Sequence, residues 1–276
     1  MKWILKISLF LVCFFVTAKV CKTQTGKFTV MRITSNLTPR TEWETTPLSS
    51  DELTKIKQIL NQSFSYLSKG VQSFVFASED GQYVIKFFRH DHLTAPFWLT
   101  PSAKAKREQR LHREFLSYKI AFENLRQETG LVFLHLNKTT DLHRTLDLVD
   151  KLGIHHQIPL DKYEFLVQKR ACLLYTALNQ MIENNKIADA KETLTGLVQL
   201  LAHRSREGIS DKDPDLETNF GVIGTEPIQI DVGRFGKIDA PFSKDEIIRV
   251  TDRLHQYLMK RCPELDQHLK TQIEKL

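Results

Sequence analysis

The sequence predicts an α+β fold with strands grouped early and helices late. Three observations carry this expectation. Phe74–Ala77 and Tyr83–Phe88 are β-rich runs on either side of Ser78-Glu79-Asp80-Gly81, and an Asp-Gly between two such runs is a strong hairpin signal. Apolar residues recur at helical spacing before this hairpin, and long helical stretches follow it. The chain has 276 residues, 41% hydrophobic and 26% charged, so it has material for one large or two-lobed domain and is not a disordered or low-complexity chain.

The elements are justified in chain order. Lys2 and Lys6 flank the start of residues 1–21, and Ile7–Ala18 is an uncharged, mostly apolar run. A signal-peptide core needs roughly 7–15 such residues and a spanning helix roughly 20. Residues 1–21 are therefore expected to be a signal peptide, with Val16-Thr17-Ala18 before the cut, or a membrane anchor running from Trp3 to Cys21. Either makes the protein secreted or membrane-anchored, with membrane association through its N-terminus. Residues 22–48 are polar, rich in Thr and carry Pro39 and Pro47, which reads as a linker or an extended arm. Ser49-Ser50-Asp51-Glu52 starts a helix, and Leu53, Ile56, Leu60, Phe64 and Leu67 continue its spacing. The hairpin follows, then a basic helix over 102–126, strands at Leu131–Leu136 and Tyr163–Gln168, and one long helix over about 174–204. Short strands near Phe220–Ile223 and Ile228–Ile230 and a helix near 243–260 close the order.

Charge and cysteine usage narrow the function classes. The net charge of +6 is a mild excess that suits an anionic ligand or a membrane surface and gives no reason to expect nucleic acid. Cys13, Cys21, Cys172 and Cys262 form no CxxC pair, so neither a disulfide scaffold nor a structural zinc site is expected. Lys104, Lys106, Arg107, Arg110 and Arg113 form a basic helical run, read first as a solvated face and second as a contact for anionic lipid or a phosphorylated ligand.

Three constellations carry chemistry. Gly70 and Ser73 sit in a turn between strands, where backbone N–H groups can approach a phosphate. Lys86 lies in the otherwise apolar run Tyr83–Phe88; if the strand is covered on both faces its ammonium needs an anionic partner, for which Glu114 is the candidate. Asn219 precedes one short strand and Asp231 follows the next; taken alone they read first as an Asn cap and an Asp-containing turn, and second as two oxygen ligands converging at one end of a hairpin, of the kind a hard Mg²⁺ takes.

Taken in this order, the pieces resemble the protein-kinase-like superfamily, which includes protein kinases, aminoglycoside phosphotransferases and lipopolysaccharide-type sugar kinases. YVIKF at Tyr83–Phe87 is similar to the family's VAIK, Glu114 to its helix glutamate, Tyr163–Gln168 to its hinge strand, and Asp231-Val232-Gly233 to its DFG. The resemblance covers about residues 66–236. It implies a kinase-like domain over 49–276, with a small antiparallel-sheet N-lobe over about 50–165 and a short helical C-lobe over about 170–276. It also implies ATP and Mg²⁺ as cofactors, with Gly70, Ser73, Lys86 and Glu114 on the nucleotide side and Asn219 and Asp231 on the metal. Asp213 would be the catalytic base, with Asp211 and Asp215 as rivals, and the acceptor hydroxyl is unknown. The sequence departs from the family in three ways. Five residues separate Asp213 from Asn219, one more than usual; the phosphate loop has a single glycine; and only 45 residues follow Asp231 (276 − 231). These departures support an alternative, a catalytically inactive pseudokinase that binds a nucleotide or a protein partner.

Overall fold

The computed structural model describes residues 2–93, 99–239 and 242–276. The side chains of Lys2, Ile4, Leu5, Ala18, Cys21, Lys22, His92 and Leu93 lie outside the described ones, and with them part of the expected cleavage site. In chain order the elements are α1 (Lys2–Gln24), α2 (Val30–Ile33), α3 (Ser50–Ile59), β1 (Phe64–Lys69), β2 (Ser73–Ser78), β3 (Tyr83–Phe88), α4 (His90–Leu93), α5 (Pro101–Asn124), α6 (Arg126–Thr129), β4 (Leu131–His135), β5 (Thr145–Val149) and β6 (His155–Pro159). They continue with β7 (Phe165–Lys169), β8 (Cys172–Leu173), α7 (Leu174–Glu183), α8 (Ile187–Arg206), β9 (Ile209–Asp211), β10 (Phe220–Ile223), β11 (Glu226–Gln229), β12 (Phe235–Lys237), α9 (Lys244–Arg261) and α10 (Pro263–Glu274). This is the expected α+β arrangement, an antiparallel-rich sheet followed by a helical C-terminal part, consistent with a kinase-like two-lobed plan.

The chain forms two compact units, each assembled from separate segments. The first comprises Met1–Pro39, Leu48–Arg107 and His135–Phe165, and the second Arg40–Pro47, Glu108–Leu134 and Leu166–Leu276. In the first unit the strands run β3-β2-β1-β5-β6. All of these neighbours are antiparallel except β1 and β5. The β2–β3 hairpin turns where Asp-Gly predicts. Gly81 takes φ +72°, and the Asp80 carboxylate accepts bonds from Ser78 Oγ at 2.6 Å and the Gln82 N–H at 2.9 Å. Phe74, Phe76, Phe87 and Phe165 are fully buried, and Phe76 and Phe165 stack around Phe87 at 6.2 and 5.7 Å. In the second unit β4 and β7 are neighbours, β11-β10-β8 and β12-β9 form small sheets, and α7 to α10 enclose an aliphatic core that includes Leu194, Leu197, Leu254 and Leu265.

Several local expectations are corrected. The helix from Ser49 has its full capping box with Glu52 but ends at Ile59. Phe64 fits the helical spacing, yet it is buried by pairing opposite Ser78 in β1. The long helix is two, broken where Asn185 takes the left-handed φ of +56° that ends α7. Residues 22–48 are more than a linker. Phe28 is buried edge-on against Phe74 and Phe76 at 5.3 and 5.1 Å, and Trp43 is buried edge-on against Phe115 at 4.9 Å. Among the described residues no helix is long and apolar enough to cross a membrane, so the expected transmembrane anchor finds no span there.

Candidate functional site

The sequence-predicted residues divide between the two units. Gly70, Ser73 and Lys86 stand in the first. The Gly70 N–H donates to the Ser73 carbonyl at 2.9 Å, and the Gly70 carbonyl accepts from Arg89 Nη1 at 2.9 Å. A Cβ at Gly70 would meet nothing nearer than 3.9 Å, so the turn itself does not require glycine. Ser73 is buried at the start of β2, and Lys86 is half-buried in β3 opposite Val75.

The second unit brings the rest together. The loop between β9 and β10 holds Asp213 and Asn219, and the loop between β11 and β12 holds Asp231. One backbone group ties the two loops. The Asn219 carbonyl accepts from the N–H groups of Ile230 at 2.8 Å and Asp231 at 3.3 Å. Asn219 Nδ2 donates to the Asp213 carbonyl at 2.7 Å, which leaves Oδ1 as the side chain's metal-competent atom, in contact with Thr218 Oγ1 at 3.0 Å. Asp231 Oδ1 accepts from the Gly233 N–H at 3.1 Å.

Helix α5 supplies the wall. Glu114, Ser117 and Tyr118 share a face, being three and four residues apart. The buried Ser117 hydroxyl donates to the Val232 carbonyl and accepts from the Phe235 N–H at 2.6 Å, stapling the Asp231 loop to the helix. Glu114 is 2% exposed, and neither carboxyl oxygen has a hydrogen-bond partner among the described residues. Burial, and then the Asp231 charge, push its carboxyl up to about 8, while Arg110 and Arg234 pull it down. Burial also raises the Tyr118 phenol, with Asp231 and Glu114 acting in the same sense.

The three candidate bases differ in freedom. Asp211 is buried, with Oδ1 accepting from the Asp213 N–H at 2.9 Å and Oδ2 from Gln229 Nε2 at 2.5 Å, so both oxygens are engaged. Burial raises its carboxyl above the ordinary range. Asp215 Oδ1 accepts from the Glu217 N–H at 2.9 Å. The Asp213 side chain is 54% exposed, with Oδ2 3.6 Å from Arg234 Nε, and is the most open of the three.

Among the described residues no three His, Cys, Asp or Glu side chains converge on a metal position. Asn219 and Asp231 offer two oxygen donors of the hard kind that Mg²⁺ takes, phosphate and water completing its sphere, so the donor set fits that ion. The sequence reading missed Ser117, Arg204 and Gln229. Gln229 lies between Ile228 and Ile230, where alternation points a polar residue to solvent, yet it is 1% exposed. Arg204 lies in the last turn of α8, where a cation ordinarily faces water, and it is 2% exposed.

No protein-family model matches the chain, and no curated protein matches it. Among solved structures it is similar to the bifunctional kinase-methyltransferase WbdD, at 17% identity and a TM-score of 0.39 over 74% of this chain and 42% of that one. A co-crystal structure of WbdD with the kinase inhibitor LY294002 gives 17% identity and a TM-score of 0.37 over 76% and 45%. The Rv3197–erythromycin complex from Mycobacterium tuberculosis gives 12% identity and a TM-score of 0.34 over 100% and 75%. The chain spans less than half the length of the WbdD chains it matches.

Proposed function

We propose that the chain is a kinase-like phosphotransferase that moves the γ-phosphoryl group of ATP to a hydroxyl acceptor with Mg²⁺. The observation that supports it is the convergence of Asp213 and Asp231 on Asn219, whose side-chain amide donates to the Asp213 carbonyl and whose carbonyl accepts from the Asp231 N–H, at the mouth of the β10–β11 hairpin. Asn219 Oδ1 and the Asp231 carboxylate would hold the metal, which neutralises phosphate charge when bound. Asp213, the most open of the three candidate carboxylates, would take the acceptor's hydroxyl proton as its oxygen bonds phosphorus and ADP departs. Lys86 would hold the α- and β-phosphates, with the Gly70–Ser73 turn over them. The reading places the protein at a membrane or outside the cell through residues 1–21.

One observation favours the pseudokinase alternative. The Gly70 N–H, which a phosphate would need, is already bonded to Ser73. Titration of wild type and Asp231→Asn with ATP, with and without Mg²⁺, tests the main reading. Loss of one hard anionic ligand lowers metal-dependent affinity about tenfold or more. Equal ATP binding by wild type in the absence of metal, matched by the variant, refutes the metal site.

A further inference from the structure

The base loop and the metal loop share a buried polar network that the mechanism above does not use. Arg204 Nη1 donates to Gln229 Oε1 at 2.7 Å and lies 3.7 Å from Asp211 Oδ2, while Nη2 lies 3.7 Å from Glu246 Oε1. Gln229 Nε2 donates to Asp211 Oδ2 at 2.5 Å and to the Asp231 carbonyl at 3.3 Å. Asp211 Oδ1 in turn accepts from the Asp213 N–H at 2.9 Å. A single amide nitrogen thus reaches both loops.

The chemistry fixes the direction of every bond. Arg204 only donates, so it must meet the amide oxygen of Gln229. Asp211 as a carboxylate and the Asp231 carbonyl only accept, so they must meet the amide nitrogen. No flipped amide satisfies the set. A buried Arg–carboxylate group is weak support for stability, because an apolar replacement of similar volume often folds as well. Directional specificity is what such a group supplies.

We propose that Arg204 and Gln229 are positioning residues that lock the Asp213 loop to the Asp231 loop, so that base and metal ligand reach working geometry only together. Its functional half rests on the phosphotransferase reading; its structural half does not.

The experiment uses the full chain. Hydrogen exchange without ligand is compared for wild type, Gln229→Met and Gln229→Glu, and for Gln229→Glu combined with Asp211→Asn. ATP is then titrated with and without Mg²⁺. Gln229→Met should speed amide exchange tenfold or more in residues 212–219 and 230–234 together, leaving α9 and α10 unchanged. Gln229→Glu puts a carboxylate against Asp211 and should do the same. The double variant restores a donor–acceptor pair with position 211, the amide introduced there donating, but leaves the Asp231 carbonyl facing a carboxylate; protection should return in residues 212–219 and stay low in 230–234, even if the Met variant fails to fold. The metal-dependent part of ATP affinity should fall about tenfold in both single variants while metal-free affinity holds, and stay low in the double variant, whose Asp231 carbonyl still lacks its donor. In the single variants, exchange that rises in one loop alone, or in neither, overturns the lock, and so does full protection of residues 230–234 in the double variant. Full Mg²⁺ dependence in the single variants overturns its functional role. If wild type shows no metal-dependent ATP binding, the phosphotransferase reading fails, and the exchange arm still decides the lock.

Discussion

Glu114→Gln isolates the cost of a buried carboxyl in the second unit. The Glu114 carboxyl is 2% exposed and titrates at about 8, against an ordinary 4.5. Its folded-state value is raised, so the native chain holds a proton that the unfolded chain releases, and stability falls as pH rises from about 4.5 through about 8. Integrated between pH 5 and pH 8, that single group removes about 3.5 kcal/mol. Glutamine keeps the volume and has no proton to lose, so the variant should lack this slope. The assay is urea unfolding of both proteins at pH 5, 6, 7 and 8, read as the difference between them, because other titrating groups cancel. Wild type should lose at least about 2 kcal/mol relative to the variant across the range, allowing for water entering the site. A difference that stays flat refutes the buried, unpartnered carboxyl.

The remaining predictions concern stability and turn geometry. Ser117→Ala removes the donor to Val232 and the acceptor for Phe235, whose N–H keeps only a long contact to Val232 at 3.5 Å; urea midpoints should report a loss of about 2 kcal/mol. Gly130→Ala forces a side chain into φ +62° with its Cβ 2.9 Å from Ile228 Cδ1, and thermal unfolding should show a cost of about 1–2 kcal/mol. Gly70→Ala should leave stability within about 0.5 kcal/mol, since its Cβ meets ordinary space. Phe74→Ala removes a fully buried ring packed edge-on against Phe28 and should cost about 3–5 kcal/mol by the same assay.

What the sequence discloses depends on where the determining interaction lies. The β2–β3 hairpin is legible because Asp80 and Gly81 dictate their own turn within a few residues. The α3 start is legible for the same reason, through Ser49 and Glu52. Phe64 and Leu67 mislead because a strand paired with β2 happens to keep helical spacing. Strands β5 and β6 are legible in retrospect: Leu146 and Leu148 alternate with polar neighbours, and Gly153 at φ +79° marks the turn. Strands β9 and β12 have three residues each, too short to show a period. At the site, Asp213, Asn219 and Asp231 are visible as short-range motifs. Ser117 meets Val232 and Phe235 across 115 and 118 residues, and Arg204 meets Gln229 across 25, so no local pattern announces their burial.

The interleaving of the two units has a consequence for anyone who divides this chain. Residues 40–47 and 108–134 belong with a unit whose main segment begins only at Leu166. A fragment ending at residue 165 would therefore carry the buried apolar face of Leu111, Phe115, Tyr118 and Phe122, with Trp43 packed on Phe115, without the residues from Leu166 onward that complete its unit. The same holds on the ribosome, where that face must wait for the last 111 residues (276 − 165) before its unit is complete. Split-protein reporters, circular permutants and single-lobe fragments cut at one point would inherit an exposed, aggregation-prone helix. A clean separation of this protein needs the chain rejoined in a different order.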